Sequence, residues 1–118
     1  MECDYKSVKD WLKRSRKDLK KKVISKSEFN RVRKIAGYTS FLNALEASLN
    51  KSEKSVDEAW CKDFAVLAMK SIEISQSKHE ADVFFALGFR DGVWDFRVDF
   101  LPESISWASQ MNGGVHYD

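Results

Sequence analysis

The chain has 118 residues, of which 43% are hydrophobic and 13% aromatic, and its formal net charge is +2. That is enough apolar material for one core without staples, and a single proline with five glycines excludes a linker-like or low-complexity chain. No apolar run reaches the roughly 18 residues of a membrane span and the start lacks a secretory apolar stretch, so a cytoplasmic protein with no membrane contact is expected.

The small net charge hides a segregated one. Residues 1–38 hold 13 Lys or Arg against 5 Asp or Glu, a net of +8, while residues 39–118 hold 7 against 13, a net of −6. Such a chain suits a partner at a basic end, a partner at an acidic end, or neither. Cys3 and Cys61, without a secretory signal, are expected as free thiols.

Residues 4–23 read as an amphipathic helix: Tyr5, Val8, Trp11, Leu12, Leu19 and Val23 recur at steps of three and four. Asp10 to Arg14 and Asp18 to Lys22 are acid-first i,i+4 pairs that support it. A second helix is expected over 27–36, burying Phe29, Val32, Ile35 and Ala36, with Gly37 as its left-handed terminator. Thr39 or Ser40 then caps a third over 40–49, with Phe41, Leu42, Ala44, Leu45 and Leu49 inward. Ser55-Val56-Asp57-Glu58 has the form of a capping box for a fourth over 56–75, burying Trp60, Phe64, Leu67, Ala68 and Ile72.

From Val83 the period changes to two. An Asp91-Gly92 pair between apolar runs is a strong hairpin signal, and strands 83–90 and 93–101 then place Val83, Phe85, Leu87 and Phe89 opposite Phe100, Val98, Phe96 and Trp94 on one face. The expected class is therefore α+β: three or four N-terminal helices packed on one face of a C-terminal antiparallel β-hairpin. Residues 103–118 form a loose tail able to supply a third strand, and the whole of 1–118 reads as a single domain.

Two surfaces stand out. At about 100° per residue Lys9, Lys13, Arg16 and Lys20 share one narrow arc, which Arg31, Arg33 and Lys34 can extend. This is the pattern that neutralises phosphates, although a solvated face has the same composition and Asp10 and Asp18 dilute it. A helix-turn-helix around Gly37 fails on residue type, because Arg33 occupies a position that needs a small side chain and 40–49 carries no cation. The second surface is the outer hairpin face: Asp95, Arg97 and Asp99 alternate along a strand, with Phe84, Glu103 and the unplaced Trp107 nearby. Such an acidic strip suits a basic protein.

Chemistry is poorly supplied. Cys3, Cys61, His79 and His116 have no metal-ligand spacing, no nucleophile–base couple is evident, and no glycine-rich phosphate loop occurs. No metal, cofactor or catalytic residue is assigned. The functional expectation is a small non-enzymatic protein-binding module of bacterial or phage type that covers a partner's surface, as an inhibitor, immunity or anti-defence protein covers a toxin or defence protein. The alternative is a nucleic-acid-binding regulator using the basic N-terminal helices.

Overall fold

A computed structural model describes residues 1–25, 29–77 and 82–103. Among them there are four helices and no strand: α1 (Tyr5–Ser25), α2 (Phe29–Lys51), α3 (Glu58–Ser77) and α4 (Val83–Phe100). The fold is all-helical, and the α+β expectation is wrong.

The error lies in 83–101. Ala86, Phe89, Val93, Phe96 and Phe100 are buried at steps of three, four, three and four, a helical period that the alternating apolar residues conceal. Asp82 caps the helix, its carboxylate accepting from the Phe85 amide at 2.9 Å. Gly92 makes no turn. It lies against the Phe41 ring, where a Cβ would fall 2.5 Å from Cδ2. A segment so rich in valine, phenylalanine and glycine has modest intrinsic helix preference, and burial against neighbours decides its state.

The second correction concerns Gly37. Instead of ending a helix it sits inside α2, which runs continuously through the break expected at 37–39. Thr39 does not cap; its Oγ1 donates to the Ile35 carbonyl at 2.8 Å. α2 crosses α4 here, and both helices use glycine so that their backbones touch.

α1 is capped by Asp4, which accepts from the Ser7 amide at 2.8 Å. α3 is capped by Asp57, which accepts from the Trp60 amide at 2.9 Å, in place of the expected Ser55. The connection before it carries Glu53 and Lys54 at positive φ, 53° and 65°.

α4 is the central element, packed along α2, against α3, and touching α1 through Trp11. Phe41 occupies the middle of the core with Trp11, Tyr38, Phe64, Phe89 and Phe96 around it, at ring separations of 5.6–6.4 Å. Such edge-to-face rings add to the area they bury. Val8, Leu12, Leu42, Leu45, Leu49, Cys61, Ala68 and Ile72 complete the core. Val32 and Leu67, expected inside, are 48% and 64% exposed.

Candidate interaction surfaces

The expected acidic strip does not form. On a strand, residues 95, 97 and 99 share a face; on a helix, a two-residue step turns about 200° and divides them. Asp95 and Asp99 face α2 and α1, where Tyr38 Oη donates to Asp95 Oδ2 at 2.7 Å and Trp11 Nε1 donates to Asp99 Oδ2 at 2.6 Å. The terminal amine of Met1 donates to the Asp99 carbonyl at 2.9 Å. These carboxylates tie helices together. Burial first, then the Asp95 contact, hold the Tyr38 phenol far above its ordinary range.

Arg97 lies on the opposite flank of α4, lining a shallow groove with Val66, Met69 and Leu101. Phe84 is half-buried and shares a groove with Lys34, Tyr38 and Gly88. Glu103 is exposed at the end of the described chain. Trp107, like the third strand expected from the tail, lies outside the described residues. The five described residues of this set are not one surface.

The basic set is partly realised. Lys9, Lys13 and Lys20 are exposed on α1, with the Lys9 ammonium 5.6 Å from the centre of the Tyr5 ring. Arg16 is held down, bridging to Glu46 Oε1 and Asn43 Oδ1 on α2 at 3.0 Å each. Arg33 pairs with Asp82 at 2.8 Å, clamping α2 to the start of α4. Arg31 and Lys34 are exposed along the groove between α1 and α2, with Leu19 and Lys22 on its other side.

A different surface was missed from the sequence. Val83, Leu87, Trp94 and Val98 of α4 are 62%, 38%, 48% and 43% exposed. Their spacing of four, seven and four places them within an arc of about 60°. They form an apolar ridge along the outward side of the central helix. The hairpin reading had put all four in the core; a helical wheel over 83–100 separates this arc from the buried one. On α3, Val66, Leu67 and Ile74 are also more than half exposed.

Among the described residues no three His, Cys, Asp or Glu side chains are grouped to hold a metal ion, and no helix is long and apolar enough to cross a membrane. Cys3 and Cys61 are free thiols. Cys61 is buried on α3, and Cys3 donates to the Phe100 carbonyl at 3.2 Å. The chain matches no family model, no curated protein and no solved structure.

Proposed function

We propose that this chain is a cytoplasmic, non-enzymatic protein-binding module that acts by association through the outward face of α4. The observation that carries the proposal is the ridge of Val83, Leu87, Trp94 and Val98. Single exposed apolar residues are ordinary, but an aligned set of four, containing a half-exposed tryptophan, has the composition of a binding surface. The test is affinity capture from the native host after nuclease treatment, with the native chain compared against Trp94→Glu and Val98→Glu. Capture should be lost in the variants while their circular dichroism is kept. Equal capture by all three would refute the reading.

The second reading, polyanion binding by α1, is supported by Lys9, Lys13 and Lys20, which stand exposed with no ion pair among the described residues. It calls for duplex affinity that falls steeply with salt and is lost on Lys13→Glu with Lys20→Glu. Affinity that neither salt nor these changes alter would remove it.

A further inference from the structure

We infer that the ridge of α4 takes a second copy of this chain, docked helix to helix about a two-fold axis parallel to α4. The inference rests on the reading of the ridge as a binding surface and names its partner. What selects a second copy is the charge on either side of the apolar row. With Val83 as the origin and about 100° per residue, the row occupies 0° to 60°. Arg90 and Arg97 then lie some 20° and 40° outside one margin, while Asp91 and Asp95 lie some 20° and 60° outside the other. Of α4's own side chains, arginines border one margin and aspartates the other, with Lys22, Arg31 and Lys34 lying beyond Asp91 across the groove.

A two-fold axis parallel to the helix brings opposite flanks together. Arg90 then meets Asp91 of the other copy, and Arg97 meets Asp95 of the other copy. Each contact occurs twice. The members of each pair differ in height by one or two residues, about 1.5–3 Å of helix rise, well within the reach of an arginine. An antiparallel arrangement sets arginine flank against arginine flank and is repelled. A foreign basic or acidic surface would be opposed by one flank whichever sign it carried. The row is therefore complementary to itself in one orientation.

The internal bonds of these residues leave room for the new ones. Asp95 receives the Tyr38 hydroxyl on Oδ2, and its other oxygen can accept from an arginine. Arg90 donates to Gln76 of α3 through one nitrogen, leaving further N–H groups of the guanidinium. A stable interface covers about 800 Å² per partner. The four ridge side chains fall short of that alone, and Val66 and Met69, which border Arg97 on α3, extend the apolar area.

The test is sedimentation equilibrium on the full chain at micromolar concentration. A dimer is expected, and Trp94→Glu, or Arg90→Glu with Arg97→Glu, should raise its dissociation constant by at least about tenfold. Val98→Cys, with Cys3→Ser to remove the partly exposed native thiol, reports the orientation without disturbing the charges. Mild oxidation should give a covalent dimer, because Val98 faces its own copy in the parallel arrangement and lies far from it in the antiparallel one. A monomer at every concentration overturns the inference. So does a dimer untouched by the ridge and flank changes, or one that Val98→Cys fails to crosslink. If the chain is monomeric yet Trp94→Glu still abolishes capture of a different protein, the self-association fails and the binding reading stands. A monomer whose capture is also unchanged removes both.

Discussion

Gly37 of α2 and Gly88 of α4 each meet the other helix's backbone. A Cβ on Gly37 would fall 1.9 Å from the Phe85 carbonyl oxygen, and one on Gly88 would fall 1.8 Å from that of Lys34. Neither neighbour is a side chain that can swing aside, so the two helices approach as far as main chain allows.

Gly37→Ala and Gly88→Ala are therefore expected to destabilise by at least about 2 kcal/mol each, despite the gain of about 1 kcal/mol that alanine brings to a helix interior. Gly92→Ala should cost less, about 1 kcal/mol, because its obstacle is the Phe41 ring, which can shift. The double change at 37 and 88 should cost less than the sum, since the first already parts the helices. Urea unfolding followed by circular dichroism measures all four. A stabilised Gly88→Ala would show that the helices do not cross there.

The same crossing explains which parts of the fold were legible in the sequence. α1 was readable because its information is local: Val8, Trp11 and Leu12 fall on one stripe, and the stripe is buried. At Gly37 and Gly92 the residue type has two explanations, a turn or a close approach, and the deciding atom is about fifty residues away in the chain. Alternating apolar residues over 83–100 then fitted a strand and a helix equally, and Asp91-Gly92 tipped the reading the wrong way. The surfaces follow the same rule. Exposure of Lys9, Lys13 and Lys20 could be read from the helical wheel, whereas the capture of Arg16 by Glu46 depends on how α1 lies on α2. The ridge was hidden because a misassigned strand put its members indoors.

Tyr38 should ionise only well above the ordinary phenol range. Its folded-state value lies above the ordinary phenol value of 10.0, raised by burial and then by the hydrogen bond to Asp95. The native state thus holds the proton more tightly than the unfolded one. The associated stability is fully present below about pH 10 and is lost as pH climbs through the folded value. Absorbance titration at alkaline pH should show one of the three tyrosines ionising together with unfolding. In Tyr38→Phe that step should vanish, with a loss of about 1.5–3 kcal/mol at neutral pH for the hydrogen bond to a carboxylate. A Tyr38 that titrates in the ordinary phenol range, without unfolding, would contradict the geometry.

Asp82 acts at the opposite end of the pH scale. Its carboxyl is held below the ordinary value of 3.8 chiefly by the Phe85 amide it caps, with the Arg33 guanidinium adding to this. The folded value is depressed, so its contribution is present above the unfolded value and fades as pH falls through the folded one. Asp82→Asn keeps a capping oxygen but loses the ion pair; Asp82→Ala loses both. The denaturation midpoint at neutral pH should therefore fall in the order native, Asn, Ala, and the native chain's margin over both variants should shrink in acid. A native margin that persists unchanged at pH 2 would assign the effect to something other than this carboxylate.

Cys61 should be nearly inert in the native protein. Its thiol is fully buried, and burial first, then the neighbouring Cys3, push its ionisation well above the usual thiol range. The thiolate is the reactive form, so attack by an aromatic disulfide reagent has to wait for opening of the fold. Cys3 is partly exposed at the chain's start and should account for the fast phase. In Cys3→Ser that phase should be absent, leaving one slow thiol whose rate tracks the unfolding equilibrium as urea is added. Because the raised ionisation favours the protonated native state, strongly alkaline solution should speed labelling of Cys61 by unfolding the chain as well as by forming thiolate. A fast second thiol in Cys3→Ser at neutral pH would mean that Cys61 is not held buried on α3.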